Sequence, residues 1–496
     1  MSSYPDFSIL HISDLHKDAG ASYDQLLASL EDDRVEWRNE SSSIKEPTFI
    51  VVSGDLVHGC QLDMTKGAAT EMLDKQYEEV EVFLTNLADR FLENDRNRII
   101  IVPGNHDVSR NASQRSMVYV DEKERNDVYN TFVNLRGKSC LYRWSWTDFA
   151  FCKITKEDIY KQRFDAYLKF YNRFYNGVRE ELKDCVDNVE LIDFPDYNVT
   201  FACYNSCADL DHLNVTGKIS DIALFDKREE LQQLYDNNRI IIGVWHHHIY
   251  GSPYFPNFMD RDALRLLHKR HIKIGLFGHQ HCTEIADEYR NIEEKSNDKE
   301  NMLLISSGTL FGGRKQLTSG KPRQFNVIEI DQKNGEADVR IHVREDESGD
   351  KPTPTWKKHP TAQGDVITHK IYFKRKMVND IILEVDNTVR ADSDWKYGIE
   401  ELQAILSSQN KDIENQMISR FIDEYLQKLN INEDADFIIE HFSEPLNELE
   451  RAFLLQAFMS KGLTDEAQRL ADTIEKPTPV EQEAIANLKN ILRWKK

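Results

Sequence analysis

Short runs of apolar and β-branched residues alternate with longer amphipathic segments from the start of the chain to about residue 280. The runs have the length of buried strands, and the intervening segments, such as Met64–Asn94 and Ile219–Asp236, have the apolar spacing of helices. Alternating strands and helices predict an α/β domain built in layers. The predicted strands are Phe7–Ile12, Phe49–Ser53, Arg98–Val102, Val199–Tyr204, Ile240–Val244 and Ile272–Phe277.

A second set of strand-like runs follows with no helical segments between them. Because neighbouring strands without crossover helices are typical of antiparallel pairing, we expect these runs to complete a second sheet. They are Met302–Ser306, Phe325–Ile330, Ala337–Arg344 and Ile367–Phe373.

Residues 109–195 interrupt the alternation and are rich in aromatic and basic side chains. One interpretation is an inserted helical hairpin that buries its rings against the core. The other is a helical cap over a functional site that selects the substrate.

From about Asp394 onwards the apolar spacing is helical throughout. Residues 376–496 contain 14 basic and 24 acidic residues, a net charge of 14 − 24 = −10. We therefore expect two domains, 1–375 and an acidic helical domain 376–496. The second could form a homodimer, bind a protein partner or cover the sheets. Its predicted helices are 395–408, 411–429, 444–459, 463–475 and 479–493.

Composition narrows the class of protein. No apolar run approaches the roughly 18–20 residues of a membrane span, and Met1–Ser8 lacks the basic and apolar regions of a secretory signal. The seven cysteines are scattered without a Cys-x-x-Cys pair, as in reduced proteins. We expect a cytoplasmic protein without membrane association, in which Cys282 is a small buried hydrophobe.

The net charge of −22 disfavours a free nucleic-acid binder, because such proteins neutralise phosphates with a basic surface. A local basic track or a partner could override this. The alternative for any local basic set is a solvated surface. The two candidate sets are Lys153, Lys156, Lys161, Arg163 and Lys169, and Arg314, Lys315, Lys321 and Arg323.

Polar clusters follow five of the predicted strands, where open α/β sheets bind ligands. Two neighbouring divalent cations need a carboxylate able to bridge them, together with imidazole and amide ligands. These clusters therefore predict a dinuclear metal site. They are Asp14-Leu15-His16, Gly54-Asp55-Leu56-Val57-His58, Gly104-Asn105-His106-Asp107, His246-His247-His248 and Gly278-His279-Gln280-His281.

This order of motifs resembles the calcineurin-like metallophosphoesterase family over about residues 7–345, and Leu10–His16 is similar to bacterial phosphodiesterase-like members. The resemblance implies an α/β fold in which two β-sheets pack face to face, flanked by helices as a four-layer α/β/β/α sandwich. It also implies two divalent metal ions, with Mn²⁺ favoured over Fe or Zn²⁺.

The resemblance further implies the metal ligands. The family usually places one histidine ligand two residues before a proline, and Ile249 at that place favours His247, with His246 as the alternative. One ion would be held by Asp14, His16, Asp55 and His281, and the other by the shared Asp55, Asn105, His279 and His247.

His106 matches the family's histidine that is not a ligand, which stabilises the phosphoryl oxygens or protonates the leaving group. Asp107 would orient His106 through a hydrogen bond. His58 matches a less constant family position and is equally well explained as a loop histidine. The implied reaction is in-line attack on phosphorus by a metal-bridging hydroxide, without a covalent enzyme intermediate.

The histidine triplet and the insert favour a phosphodiester of a nucleotide or nucleic acid as substrate. The alternatives are a phosphomonoesterase acting on a nucleotide or a protein, and an inactive phosphoesterase fold that serves as a scaffold. Side chains near the motifs that could contact phosphate or base are Asn105, Arg110, Asn205 and Tyr250.

Overall fold

The computed structural model describes most of the chain. It covers residues 4–16, 22–40, 43–134, 141–251, 257–259, 261–288, 302–312, 317, 320–333, 335–349, 351–360, 366–373, 378–408 and 412–494. The chain divides into two compact units, Met1–Arg375 and Lys376–Lys496. None of the described helices combines the length and the apolar character needed to cross a lipid bilayer.

The strands that the structure describes all lie in the first unit. In chain order they are β1 (Phe7–Ile12), β2 (Phe49–Val52), β3 (Ile99–Ile101), β4 (Met117–Tyr119), β5 (Tyr142–Ser145), β6 (Ala150–Ile154), β7 (Glu190–Phe194), β8 (Val199–Cys203), β9 (Ile240–Val244), β10 (Ile274–Phe277), β11 (Ile285–Glu288), β12 (Met302–Ser306), β13 (Gln324–Lys333), β14 (Glu336–Asp346), β15 (Trp356–Lys358) and β16 (Ile367–Tyr372).

The helices occur in both units. In chain order they are α1 (Tyr23–Glu36), α2 (Lys66–Phe91), α3 (Arg110–Arg115), α4 (Arg125–Asn134), α5 (Glu157–Lys161), α6 (Asp165–Phe174), α7 (Asp221–Phe225), α8 (Arg228–Asp236), α9 (Arg261–Lys269), α10 (Val378–Asp392), α11 (Trp395–Ser408), α12 (Asp412–Leu426), α13 (Ile431–His441), α14 (Glu448–Ser460), α15 (Thr464–Asp472) and α16 (Pro479–Trp494). Short 3-10 turns occur at Trp37–Asn39, Arg96–Arg98, Glu122–Glu124, Gln162–Phe164 and Pro195–Tyr197.

Two sheets form a sandwich. The first has the order β15-β14-β13-β1-β2-β3, with β16 also paired to β14, and the second has the order β11-β12-β10-β9-β8-β7. Strands β1, β2 and β3 are parallel to one another, as are β8, β9, β10 and β12. The carboxyl ends of these parallel strands, which carry the motifs, therefore lie on the same side of each sheet.

Alternation along β1 shows how the layers are packed. Phe7 and Ile9 enter the core shared by the two sheets, whereas Leu10 and Ile12 pack on the outer side with residues of α1, α2 and α6. Residues of α8 and α9 cover the outer face of the second sheet. The result is the four-layer α/β/β/α arrangement of the metallophosphoesterase fold, which confirms the predicted fold class.

The later strands differ from the prediction. Strand β12 is parallel to β10 in the second sheet, whereas β13, β14 and β16 form an antiparallel extension of the first sheet through β1. The runs themselves were predicted well, but apolar spacing alone does not specify which distant strand becomes the hydrogen-bonding partner.

The insert also differs from a helical hairpin. Its first part contains an antiparallel sheet of order β4-β6-β5, and β7 pairs with β8 in the second sheet. Only α6 follows the expectation, because it buries Tyr167, Phe170 and Phe174 in the core beside α2. This part of the insert supports the packing interpretation.

The second unit is helical. Helices α11, α12, α14, α15 and α16 correspond to predicted segments, whereas α10 and α13 were not predicted. The α13 sequence carries Glu433, Asp434 and Asp436 near its start, which weakens the apolar pattern, although Asn430 caps the helix. The described cysteines are free thiols, and Cys140 lies outside the described residues.

Candidate metal centre

The backbone is forced into an uncommon conformation at four motif residues. Asp14, Asp55, His279 and His281 have φ angles of 53°, 52°, 77° and 56°. Residues other than glycine rarely adopt this left-handed region, and such positions cluster at functional sites where the surrounding fold enforces them. Here they turn the chain sharply at the strand ends.

Two motif glycines allow the loops to approach one another. A Cβ on Gly104 would clash with the amide nitrogen and Oδ1 of Asp55, and a Cβ on Gly278 would clash with the Ser13 side chain and Asp14 Oδ2. The absence of a side chain at these positions lets the second and third motif loops, and the first and fifth, lie against each other.

The first group of candidate ligands contains Asp14, His16 and His281, whose ligand atoms lie within 4.8 Å of one another. His281 Nε2 is 3.1 Å and His16 Nε2 is 3.8 Å from Asp14 Oδ1. Both ring nitrogens of His16 are buried and have no hydrogen-bond partner among the described residues. Buried polar atoms without partners are costly, and a bound cation would satisfy one of the two His16 nitrogens.

The second group contains Asp55, His246 and His279. His246 Nε2 lies 3.3 Å from Asp55 Oδ2, and His279 Nδ1 lies 3.2 Å from His246 Nε2. Asn105 Oδ1 completes this group, at 2.9 Å from His246 Nε2 and 2.7 Å from His279 Nδ1. That Asp55 also serves the first group stays a prediction.

The structure places His246 at this position, rather than the favoured His247. His246 Nδ1 is 2.8 Å from the carbonyl oxygen of Ser53, which leaves Nε2 for the cluster. His247 Nδ1 lies 3.0 Å from Ser206 Oγ, and His247 belongs to neither group of converging ligand atoms among the described residues. The sequence order of three histidines could not show which ring turns inward, because that depends on the contacts to Ser53 and Ser206.

Charge in the centre favours a cation. Burial opposes ionisation of Asp14, yet His281 and His16 hold the pKa of its carboxyl well below the usual range. The pKa of Asp55 is lowered in the same way by His246 and His106. Although burial disfavours the charged form of His246, the nearby Asp55 raises the pKa of that histidine to about 9. The two carboxylates thus attract positive charge into a buried site.

These donors fit two divalent ions. Carboxylate, amide and imidazole ligands suit borderline metals, and His246 contacts a backbone carbonyl through its second nitrogen, as histidine ligands generally do.

His106 and Asp107 have different partners from those expected. His106 Nδ1 lies 2.9 Å from the carbonyl oxygen of His58, whereas Asp107 accepts hydrogen bonds from Gly104 N at 2.8 Å, Leu56 N at 3.2 Å and Tyr77 Oη at 2.9 Å. Asp107 therefore joins two motif loops rather than orienting His106. Burial raises the pKa of Asp107 to about 7, opposed by these donors.

The His106 ring lies at the first group. It stacks on His16 with ring centroids 5.1 Å apart, and its backbone amide donates to Asp55 Oδ1 at 2.7 Å. Burial lowers the pKa of His106, and Asp55 opposes that shift. The exposed His58 ring lies 5.4 Å from the His16 ring, so His58 is next to the first group of candidate ligands.

The predicted substrate contacts have different environments. Arg110 begins α3, makes no hydrogen bond or ion pair through its guanidinium within the described chain, and its charge helps to lower the pKa of His106. Tyr250 is 38 % exposed and lies near His248. Asn205 is buried. Its side chain donates a hydrogen bond to Cys185 Sγ and accepts one from the backbone amide of Cys207, so it is unavailable to a substrate. Cys282 is buried, as expected, and its burial raises the thiol pKa to about 11.

The proposed basic tracks are not preserved as sets. Arg163 is buried against Tyr160 and bonds backbone carbonyls, Lys169 pairs with Asp74, and Arg323 is buried beside Asp346. Exposed side chains remain at Lys153, Lys156, Lys161 and Lys321. Arg314 and Lys315 lie outside the described residues.

Three supporting contacts were missed from the sequence. Ser206 Oγ accepts from the backbone amides of His246 and His247, the Ser53 carbonyl holds His246, and Tyr77 holds Asp107. Ser53 directly follows β2, and Ser206 lies in the loop after β8; their position near strand ends was the available signal. Tyr77 lies inside α2 and gave none.

Comparison with known proteins identifies the family. The model of the calcineurin-like phosphoesterase family matches residues 7–283. Similar solved structures include a dimetal phosphatase from Danio rerio, which is 13% identical in sequence and has a TM-score of 0.34. The match covers 75% of this chain and 100% of that chain. Another is Vps29 complexed with Zn²⁺ from Entamoeba histolytica, with 11% identity, 74% and 99% coverage, and a TM-score of 0.27. No curated protein sequence gave a significant match.

The family match spans more than half of the chain and includes all five motifs. Family members depend on a dinuclear metal centre, and the two groups of buried ligand atoms are consistent with that requirement. The chain belongs to the calcineurin-like phosphoesterase family and is a metal-dependent phosphate-ester hydrolase.

Proposed function

We propose that this protein hydrolyses a phosphodiester of a nucleotide or nucleic acid. The observation that supports the proposal is the convergence of two groups of candidate ligands, the first of them next to the His106 ring. Asp14, His16 and His281 would hold one divalent ion. Asp55, Asn105, His246 and His279 would hold the second, with Asp55 shared. When bound, two such ions lower the pKa of a coordinated water and neutralise charge on the phosphoryl group.

His106 would act on the substrate. Its Nδ1 faces the His58 carbonyl, so Nε2 is the nitrogen available to a phosphoryl oxygen or to the leaving group. Because Nδ1 keeps its proton to donate to the carbonyl, Nε2 carries a proton only in the imidazolium form. His106 would therefore donate to a leaving oxygen as the imidazolium and return to the neutral form afterwards.

Arg110 offers a further contact to the phosphate of a diester. A phosphodiester carries one negative charge, whereas a monoester is largely dianionic near neutral pH. Arg110 is a basic side chain near His106 that is not committed to an ion pair within the described chain. A single guanidinium could bind the two non-bridging oxygens of a diester through paired hydrogen bonds.

A matched pair of chromogenic substrates tests the proposal. With Mn²⁺ supplied, we expect a higher kcat/KM for bis-p-nitrophenyl phosphate than for p-nitrophenyl phosphate. Asp55→Asn should abolish turnover of both, because Asp55 is a proposed ligand. Asp63→Asn is the control, since Asp63 is exposed in the loop after the same motif.

The outcomes separate the alternatives. A clear preference for the monoester would reverse the assignment in favour of a phosphomonoesterase. Turnover that persists in Asp55→Asn would contradict the proposed centre. Absence of turnover on either ester and on cyclic nucleotides, DNA and RNA would favour a scaffold role.

A further inference from the structure

The most exposed aromatic side chains of the described chain lie close together in the insert. Tyr119, Trp146 and Phe149 are 63%, 76% and 66% exposed, more than any other aromatic residue that the structure describes. We call these three residues the aromatic tip. Proteins seldom expose several large rings in one place without a binding role.

The aromatic tip is formed by a hairpin and its neighbouring strand. Trp146 and Phe149 lie in the turn between β5 and β6, and Tyr119 ends β4 on the other side of β6. The Tyr119 hydroxyl donates to Asp148 Oδ2 in that turn at 3.0 Å, and Trp146 contacts Trp144 edge to face at 5.9 Å. The Tyr119 side chain therefore lies next to the turn that carries Trp146 and Phe149.

The hairpin is firmly attached to the rest of the first unit. Arg143 in β5 donates to Asp211 Oδ2 at 2.7 Å, and Tyr160 donates to the same oxygen at 2.9 Å. Asp211 is fully buried. A buried carboxylate that accepts two hydrogen bonds holds the β4-β6-β5 sheet in place. The exposed rings therefore lie on a rigid support. Pre-ordered aromatic rings lose little conformational entropy on binding.

The charge of this segment is opposite to that of the whole chain. Residues 110–156 contain nine basic and five acidic residues, a net charge of 9 − 5 = +4 in a chain of −22. Arg125 lies over the Trp144 ring at 5.7 Å and Lys153 lies over Tyr142 at 5.6 Å. Neither forms an ion pair in the part of the chain that the structure describes. The same holds for Arg110, Arg115, Lys123 and Lys156.

We propose that the aromatic tip binds single-stranded nucleic acid, whose bases stack on Trp146, Phe149 and Tyr119 while the basic side chains of the segment contact phosphates. Stacking platforms with interspersed positive charge are the usual means of binding single strands without sequence preference. This inference rests on the proposed phosphodiesterase function and extends it, since it identifies the substrate class as a single strand.

The segment also connects the tip to the metal centre. Arg110, four residues after His106 in the chain, begins α3, and α3 leads directly into β4 and Tyr119. Helical and extended rises limit the separation of Arg110 and Tyr119 along this path to about 25 Å. A strand of several nucleotides stacked on the tip could therefore extend to Arg110.

Binding of fluorescein-labelled (dT)12 to the full-length chain tests the proposal. Fluorescence anisotropy in EDTA measures affinity without turnover. We expect Trp146→Ala combined with Phe149→Ala to raise Kd about tenfold or more, and Trp146→Phe alone to retain most of the affinity. The matched control is Phe225→Ala, because Phe225 is an aromatic residue in α7 with 53% exposure. It should leave Kd unchanged.

Turnover of bis-p-nitrophenyl phosphate with Mn²⁺ provides a separate measurement, because this small ester has no base to stack. The double variant should keep wild-type turnover. Unchanged (dT)12 affinity in the double variant, or an equal loss with Phe225→Ala, would overturn the proposal. So would failure of the wild type to bind (dT)12 while it binds anionic phospholipid vesicles or self-associates through the tip.

The two proposals fail in distinguishable ways. If the wild type binds (dT)12 through the aromatic tip but hydrolyses no phosphodiester, the proposed function is wrong and the proposed binding role of the aromatic tip is kept. If the wild type hydrolyses bis-p-nitrophenyl phosphate but the double variant binds (dT)12 as tightly as the wild type, only the proposed binding role of the aromatic tip is wrong.

Discussion

The imidazole of His106 is held by a backbone group, with Nδ1 2.9 Å from the carbonyl oxygen of His58. His58 ends the motif that also contains Asp55, and Asp55 accepts the backbone amide of His106 at 2.7 Å. The position of His106 is thus tied twice to the loop that supplies a proposed metal ligand. We therefore expect His106 to contribute to the reaction and its neighbour Asp107 to contribute to stability.

Substitution of His106 should impair chemistry while leaving metal binding intact. We expect His106→Ala to lower kcat about 10²–10⁴-fold, the usual contribution of a positioned acid, with unchanged metal content. If His106 protonates the leaving group, the loss should be much larger for a diester with an alkoxide leaving group than for one releasing p-nitrophenolate. Equal losses would indicate that His106 stabilises the phosphoryl oxygens instead.

Asp107 should contribute to stability. Its carboxylate accepts two backbone amides and the Tyr77 hydroxyl in a buried site. Tyr77→Phe removes one of these bonds and should cost about 1–2 kcal/mol, which thermal unfolding would detect as a Tm lower by a few degrees. Asp107→Asn should cost more, whereas Asp63→Asn at an exposed position should leave Tm unchanged. A Tm unaffected by both buried substitutions would contradict this role.

Adjacent histidines should differ in metal binding. His246→Ala should weaken binding of one metal equivalent by about 100-fold or more, because His246 Nε2 faces Asp55 and Asn105. His247→Ala removes the contact to Ser206 and should retain two equivalents. Metal content after gel filtration, read by elemental mass spectrometry, checks this. Retention of two ions by His246→Ala, with loss in His247→Ala, would restore the sequence-based assignment.

The glycine that precedes Asn105 should tolerate no side chain. Gly104→Ala places a methyl group against Asp55, so we expect loss of activity together with lowered Tm. Gly67→Ala is the matched control, because a Cβ there meets no atom within 4 Å and Gly67 lies in α2. Gly67→Ala should keep full activity and gain up to about 1 kcal/mol of stability. Equal activity in the two variants would show that the close approach is not required.

Much of the fold could be predicted because its signals are local. The strands Phe7–Ile12, Ile240–Val244 and Met302–Ser306 have the predicted bounds, since each is a buried apolar run between clear breaks. Pairing partners could not be predicted in the same way. Strand β13 lies beside β1 although hundreds of residues separate them, and no local pattern encodes that choice.

The candidate site shows the same division. The types and order of its residues could be read from the motifs, because each directly follows a strand. The choice of His246 over His247, and the partners of Asp107, depend on Ser53, Ser206 and Tyr77, which contact them from other elements. The sheet inside the insert was missed because aromatic residues are equally compatible with buried helices and strands.

The most direct test of the central claim is a crystal structure of the protein grown with Mn²⁺, with the ions located by their anomalous scattering. We expect two neighbouring peaks, one at Asp14, His16 and His281 and the other at Asp55, Asn105, His246 and His279. A map with no ion among these side chains, or with a single ion bound elsewhere, would contradict it.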